Sequence, residues 1–289
     1  MSQDEIPCVR FAPSPNGYLH AGHAYSAWRN FAFAKRHGGR FLLRIEDIDA
    51  VRARPEYEAA IFEDLSWLGI AWEMPVRRQS EHLEEYRTAL SRLQATGLAY
   101  PCFCTRGMIR AACVADSPRD PDGSPHYPGT CRAISAAERS RRIDRGEAYA
   151  LRIDMAKALE RIARPLTWRE YGEGASETVI DANPLAWGDA VLARKDIGTS
   201  YHVAVVRDDA QQHVTDVIRG TDLFEATALH RLLQELLGLP QPKYRHHRLV
   251  LDENGDKLSK SAGTKPLRSL RAEGLTAERL FDMLGVARG

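Results

Sequence analysis

The chain has 289 residues, 44% apolar and 27% charged, with 40 Lys and Arg against 39 Asp and Glu for a net charge of +1. That composition belongs to an ordinary globular protein with enough apolar content for one large domain, or one domain carrying an insertion. No apolar run approaches the ~18 residues of a membrane span, and Met1 to Pro7 lacks the hydrophobic stretch of a secretory signal, so a cytoplasmic protein with no membrane partner is expected. Five cysteines in a reducing compartment argue against a disulfide framework.

In chain order, Cys8 to Ala12 reads as a buried strand, the Pro/Asn/Gly-rich stretch to Tyr18 as a loop, and His20 to about Arg36 as a helix stopped by Gly38-Gly39. Phe41 to Ile45 is a second strand, which makes a βαβ unit and implies parallel pairing. Pro55 starts a helix in which Tyr57, Ile61, Leu65 and Leu68 share a face, ending at Gly69. Ser80 caps the next, with Leu83, Tyr86, Leu90 and Leu93 on one side and Gly97 as the stop. From Tyr100 to about Arg164 the pattern changes: Pro, Gly, Ser and Asp crowd Ala115 to Gly129, and the clustered cysteines fall here. This reads as an insertion. The α/β pattern resumes near Trp187, with strands at Tyr201 to Val206 and His213 to Ile218, an amphipathic helix from Leu223 to Leu237 ended by Gly238, and a strand at His247 to Leu251. Asp252 to Gly255 is a turn, and the segment Lys257-Leu258-Ser259-Lys260-Ser261 follows.

Two segments carry phosphate chemistry. A helix N-terminus after a sheet strand presents unpaired N–H groups and about half a positive charge, so the start at His20-Ala21-Gly22-His23 is an anion site. Gly22 permits close approach of a nucleotide, and the imidazoles of His20 and His23 can donate to phosphate oxygens. The Lys257 to Ser261 loop adds two mobile ammonium groups, Lys257 and Lys260, able to follow a leaving pyrophosphate. From Gln241 to Arg271 eight Lys or Arg face three Asp or Glu, a basic stretch suited to a phosphate backbone. Cys102, Cys104 and Cys131 are three soft ligands for one metal; zinc wants four, and His126 or Cys113 would complete the set by chemical habit.

The pair of phosphate segments resembles the two signature motifs of class I aminoacyl-tRNA synthetases, and the glutamate-specific branch in particular. The run from Arg10 through Phe11, Ala12, Pro13, Ser14, Pro15, Asn16, Gly17, Tyr18 and Leu19 to His20 resembles the opening of glutamyl-tRNA synthetases. So do Leu43 to Asp49 and Val217 to Leu223, and the similarity runs from about Arg10 to Ser261. Only 28 residues follow Ser261, too few for an anticodon-reading domain. That shortness and the cysteine cluster fit the glutamyl-queuosine tRNA(Asp) synthetase family, a paralogue of the catalytic half.

The resemblance implies an α/β fold: a Rossmann-like parallel-sheet class I catalytic domain, residues 1–99 and 187–289, with an inserted zinc-containing subdomain, 100–186, and no anticodon-binding domain. It implies a monomeric ligase that activates L-glutamate with Mg-ATP and transfers it to queuosine in tRNA(Asp). His20, His23, Lys257 and Lys260 would stabilise the transferring phosphate, with Gly22 beside the ATP. Free glutamate has two carboxylates and one ammonium, so a selective pocket needs about two cations and one anion, the count that Arg10, Arg219 and Glu46 supply. By analogy Glu46 holds the α-ammonium, while Arg10, Arg219, Tyr201 and groups of Phe11, Ala12, Pro13 and Ser14 orient the carboxylates. The family's Tyr-x-x-x-Cys spacing names Tyr127 as fourth ligand of one structural zinc. Three other readings compete: a minimal glutamyl-tRNA synthetase charging tRNA(Glu), a small-molecule ligase of the pantothenate synthetase kind, and a catalytically idle RNA-binding paralogue.

Overall fold

The computed structural model describes residues 6–114, 116–174, 176–251 and 265–286. Strand β1 (Cys8–Phe11), helix α1 (Ala21–Arg36) and strand β2 (Arg40–Ile45) form the expected parallel unit, with Val9 opposite Phe41. The turn between α1 and β2 is tight: Gly38 has φ +59°, and a Cβ on Gly39 would lie 2.5 Å from the Pro7 carbonyl oxygen. Helix α2 (Pro55–Trp67) leads to β3 (Glu73–Arg78), parallel to β2, and then to a 3-10 turn at Gln79–His82 and α3 (Leu83–Ala95).

After β4 (Ala99–Cys102) come the short α4 (Arg106–Ala112) and α5 (Ala136–Asp144), β5 (Ala150–Ile153), α6 (Met155–Ile162), β6 (Thr167–Glu170) and β7 (Thr178–Asp181). Then follow β8 (Val191–Ala193), α7 (Tyr201–Gln211), β9 (Asp216–Gly220), α8 (Ala226–Leu237), β10 (Lys243–His247), α9 (Leu267–Ala272) and α10 (Ala277–Met283). Three sheets result: parallel β1-β2-β3, antiparallel β4-β5-β8, and β7-β6-β10-β9, in which β10 runs parallel to both neighbours. The Thr215 N–H donates to the Cys8 carbonyl at 2.9 Å, and the Asn30 side chain on α1 donates to Ile218 O at 3.1 Å, so the start of β9 lies against β1. No helix among the described residues is long and apolar enough to cross a membrane.

Two large cores follow from this layering. Ala24, Tyr25 and Ala27 of α1, Ile61 and Leu65 of α2, and Leu280 and Phe281 of α10 cover the β1-β2-β3 sheet. Leu90 and Leu93 of α3, Val203 and Val206 of α7, and Leu229, Leu232 and Leu233 of α8 pack on β4-β5-β8.

The sequence reading needs correction in several places. The stretch from Tyr201, expected as a strand, is helix α7; Val203, Val205 and Val206 imitate a strand, but with Ala204, Asp208 and Asp209 they are buried on several sides of a helix between α3 and α8. The expected strand at His247 to Leu251 lies earlier, at Lys243–His247, and the one at His213 to Ile218 starts at Asp216. Helix α8 begins at Ala226, after a 3-10 turn at Thr221–Leu223. Ser80 does not cap α3: it sits in the 3-10 turn, where its hydroxyl donates to Asp47 at 2.6 Å. The Asp252 to Gly255 turn and the Lys257 to Ser261 segment lie outside the described residues.

One carboxylate under the C-terminal helices is unusual. Asp64 on α2 is fully buried, neither side-chain oxygen has a hydrogen-bond partner, and the Arg271 guanidinium on α9 stands 3.9 Å away. Burial pushes its carboxyl up to about 6, more than Arg271 pulls it down. A folded value above the unfolded one means stability that is present at low pH and lost as pH rises through about 6. Asp64→Asn should therefore raise the unfolding free energy at pH 8 by up to about 3 kcal/mol, the gain vanishing below about pH 4. Urea titrations of both proteins across that range check it.

Candidate active site

A cavity of about 730 Å³ opens at the carboxyl ends of β1, β2, β9 and β10, where open α/β sheets place their ligands. Phe11, Ala12, Pro13 and Ser14 line it after β1, Glu46 after β2, Arg219 and Gly220 at the end of β9, and His247 to Val250 after β10. His20, Gly22 and His23 contribute the start of α1, and Arg10 and Tyr201 complete the floor. The glutamate-site and α1 residues singled out from sequence are thus brought together.

The start of α1 is built by its own histidines. His20 is the N-cap, with extended φ −127°, and its Nδ1 accepts from the Gly22 N–H at 3.1 Å, while His23 Nδ1 accepts from the His20 N–H at 3.2 Å. This is a capping box in which two imidazoles replace the usual Ser and Glu. With Nδ1 accepting in both rings, each neutral ring carries its proton on Nε2, as a donor. Gly22 has a local reason as well: a Cβ there would meet the His20 ring at 3.0 Å. Lys257 and Lys260 lie outside the described residues, but the flanks of their segment both reach this loop. Val250 lies 4.0 Å from a Cβ built on Gly22, and the Leu267 N–H donates to the Leu19 carbonyl at 2.8 Å.

The charged floor depends on residues that the sequence reading passed over. Arg44, with no solvent exposure, donates to Asp209 at 2.8 Å, contacts Glu46 at 3.2 Å and lies 3.7 Å from Asp208. Arg10 pairs with the same aspartate, Nε to the Oδ1 that Arg44 also holds, at 3.0 Å, and Nη2 to Oδ2 at 3.4 Å. Asp208 in turn accepts from Arg77 at 2.8 Å, Gln79 at 2.7 Å and Tyr86 at 2.9 Å. Burial raises the Glu46 carboxyl although Arg44 and Arg10 pull it down, and burial acts the same way on Asp209, where the two arginines prevail and hold it low. Burial opposes the Arg44 charge, but Asp209, Glu46 and Asp208 raise its pKa overall. The signal available in sequence was the run Arg207-Asp208-Asp209 after a valine-rich stretch, legible only if that stretch is helical.

Arg219 is different. Its Nε donates to His246 at 3.1 Å, Nη1 to His230 at 3.1 Å, and Nη2 to Thr227 at 2.7 Å and the Leu223 carbonyl at 3.1 Å. Every one of these partners is uncharged when the histidines are neutral, and burial drives His230 and His246 below the usual imidazole range. Among the described residues no carboxylate lies within ion-pair distance of Arg219. A buried guanidinium so held can accept an anionic group as its counter-charge.

A second cavity of about 310 Å³ shares Ser14, Asn16, Glu46, Arg52 and Tyr201 with the first and is bordered by Asp49 and Arg194. The cysteine cluster lies in a separate small core. The sulfurs of Cys102, Cys104 and Cys131 are within 4.8 Å of one another, Cys104 and Cys131 at 3.5 Å, and the Tyr127 hydroxyl is 3.3 Å from Cys104 Sγ. Tetrahedral zinc with bonds of about 2.3 Å needs sulfurs about 3.8 Å apart, so this donor set fits the ion. His126 and Cys113 are engaged elsewhere: His126 Nε2 donates to the Ala186 carbonyl at 2.8 Å, and Cys113 Sγ contacts the His126 carbonyl at 3.6 Å.

Residues 8–288 match the family model described as tRNA synthetases class I (E and Q), catalytic domain. The chain is 46% identical over 282 residues to the glutamyl-Q tRNA(Asp) synthetase of Rhodobacter capsulatus, covering 96% of this chain and 99% of that protein. It is 38% identical over 276 residues to the glutamate--tRNA ligase of Aquifex aeolicus, covering 96% of this chain and 56% of that one. Among solved structures, a glutamate tRNA ligase from Elizabethkingia meningosepticum in complex with its amino acid superposes with TM-score 0.77 at 29% identity, over 98% of this chain and 61% of the other.

The buried ion network yields a stability prediction. Arg44→Ala strands Asp209, Asp208 and Glu46 without their shared cation and should cost about 3 to 5 kcal/mol, with Arg44→Lys recovering part of it. Denaturant unfolding monitored by circular dichroism measures both.

Proposed function

The chain belongs to the class I tRNA synthetase (E and Q) catalytic-domain family, and on that premise we propose that it activates L-glutamate with ATP and transfers it to queuosine in the anticodon of tRNA(Asp). The observation that carries the glutamate reading is Arg219, a buried cation with neutral partners, lining the same cavity as Glu46 and the His20 helix start. The acceptor follows the 46% identical relative.

In this reading a glutamate α-carboxylate oxygen attacks the α-phosphorus of Mg-ATP in line, the bond to the bridging oxygen breaks, and pyrophosphate leaves. A hydroxyl of the modified base then attacks the carbonyl carbon of the mixed anhydride and releases AMP. The protein's part is positioning and charge stabilisation. Glu46 receives the α-ammonium and Arg219 a carboxylate, while Arg10, Tyr201 and the Phe11, Ala12, Pro13 and Ser14 segment shape the remaining wall. The Nε2–H groups of His20 and His23 and the N-terminus of α1, with Gly22, meet the phosphates. Lys257 and Lys260 follow the pyrophosphate, a role supported by the two flanks of their segment meeting the His20 loop.

The division into 1–99, 100–186 and 187–289 belongs to the same reading, with β6 and β7 of the middle part pairing into the β9-β10 sheet and β8 pairing with β5. Cys102, Cys104, Tyr127 and Cys131 would hold one structural zinc, which closes four ligands on one ion and leaves no position for substrate.

The acceptor is tested by incubating the protein with ATP, labelled glutamate and tRNA(Asp) with or without queuosine, or tRNA(Glu), then digesting the RNA. Label is expected on the anticodon fragment of queuosine-bearing tRNA(Asp), including tRNA trimmed of its terminal adenosine. Label on the terminal adenosine of tRNA(Glu) instead would establish the rival reading, which the glutamate--tRNA ligase relatives favour.

Zinc is tested by elemental analysis of gently purified protein. One zinc per chain is expected, lost in Cys131→Ser, and chelation should unfold the cysteine-bearing core before the sheets, since structural zinc contributes on the order of 10 to 16 kcal/mol. Absence of metal from the wild type, or unchanged content in the variant, would remove the assignment.

A further inference from the structure

Arg219 lies in the middle of a buried chain of side chains from four other elements. Glu170 on β6 accepts from His246 Nδ1 at 2.6 Å and from the backbone N–H groups of His246 and Gly172. With the ring proton on Nδ1, His246 Nε2 is a lone-pair acceptor, and Arg219 Nε donates to it at 3.1 Å. On the opposite side Arg219 Nη1 donates to His230 Nδ1, so the His230 proton sits on Nε2 and is directed at His202 Nδ1, also 3.1 Å away. Thr227 Oγ1 and the Leu223 carbonyl take two hydrogens of Nη2. Because a guanidinium only donates, each tautomer in the chain is dictated by Arg219.

The arithmetic of donors matters. A guanidinium has five N–H bonds, and these contacts use four of them. Among the described residues nothing takes the remaining Nη1 hydrogen or pairs the positive charge, and both are left for the cavity that Arg219 lines. Had one of the four acceptors been a carboxylate, it would have fixed the guanidinium equally well and cancelled its charge. The one acid in this hydrogen-bonded series among the described residues, Glu170, is instead held one imidazole away, and it orients that imidazole.

We infer that His246 and His230 are positioning residues that set amino-acid specificity: they fix the Arg219 guanidinium with neutral acceptors, so that the carboxylate it meets is the substrate's, and Glu170 and His202 complete the hydrogen bonding of the two rings. This rests on the reading of Arg219 as a carboxylate receptor. A substrate amide in place of the carboxylate gains no charge-assisted bond there, which is the basis for preferring glutamate to glutamine.

The two histidines present opposite ring nitrogens to Arg219, and that provides the test. A glutamine oxygen stands where Nε2 stood and an asparagine oxygen where Nδ1 stood. His246→Gln and His230→Asn therefore keep the acceptor facing Arg219, whereas His246→Asn and His230→Gln misplace it, and His246→Leu and His230→Leu remove it. In ATP–pyrophosphate exchange, the misplaced and leucine variants should raise the KM for glutamate about tenfold or more, with the KM for ATP within about twofold and weaker discrimination against glutamine. His246→Gln and His230→Asn should stay within about threefold of wild type. Equal KM values for the matched and misplaced variants, or parallel rises for ATP and glutamate, would overturn the inference, and the amide pairs decide the matter if the leucine variants do not fold. Wild-type protein that fails to exchange with glutamate would instead count against the proposed function itself.

Discussion

Placement of the cavity floor depends on two adjacent carboxylates on one helix, Asp208 and Asp209 of α7. Consecutive helical residues point about 100° apart, so one can face α3 and β3 while the other faces β1 and β2. Asp208 gathers Arg77, Gln79 and Tyr86, and Asp209 gathers Arg10 and Arg44. Burying each of these ions alone would cost several kcal/mol, so the arrangement persists only when every partner is in place. The ion network therefore does what apolar packing cannot: it fixes the register of α7 against the sheet and, through Arg10 and Arg44, the height of the cavity floor.

The same network makes two arginines with similar sequence credentials physically unlike. Arg10 faces the cavity already paired with Asp209 at 3.0 Å, and Glu46 is already in contact with Arg44 at 3.2 Å. Their charges are largely spent within the protein, and what they offer a substrate is orientation. Among the described residues Arg219 has only neutral hydrogen-bond partners, so its charge is available. An amino acid with two carboxylates and one ammonium carries a net charge of about −1 at neutral pH, and the unpaired cation in the wall matches that excess. Counting two cations and one anion from sequence picked out three residues that line one cavity, through an incomplete account of their charges.

What was legible in the sequence follows a physical line. The βαβ opening, the helix from Pro55 and the stops at Gly38, Gly69 and Gly97 were readable because caps, breakers and period are local. The strand at Tyr201 was misread because three valines and an alanine in four consecutive buried positions give the same pattern whether a strand is covered on both faces or a helix is covered all round. Arg44, Asp208 and Asp209 were invisible as a group, since their pairing spans 165 residues in sequence. The histidines at 20 and 23 were read for phosphate chemistry alone, and their part in a capping box was missed; the i, i+3 spacing was the available sign. Gly22 was assigned to nucleotide approach, and its contact with the His20 ring adds a second reason that no sequence pattern announces.

The cysteine core is not isolated from this chemistry. Lys195, just after β8, donates to the Phe103 carbonyl between two of the cysteines at 2.8 Å, and the neighbouring Arg194 reaches Asp49 at 3.2 Å on the wall of the second cavity. Arg152 of β5 lies over the Tyr127 ring at 4.2 Å and donates to the Asp189 carbonyl at 2.8 Å, while the Asp189 side chain accepts from Tyr100 and from the Met155 N–H. The antiparallel β4-β5-β8 sheet thus ties the cysteine loops at one end to residues bordering the second cavity at the other. An ion gripping Cys102, Cys104, Tyr127 and Cys131 would hold the base of β4, and through β8 the positions of Arg194 and Lys195, without approaching the reacting atoms. Such a closed set of ligands would act on a site it does not touch by fixing the wall that shares Ser14, Glu46 and Tyr201 with the larger cavity.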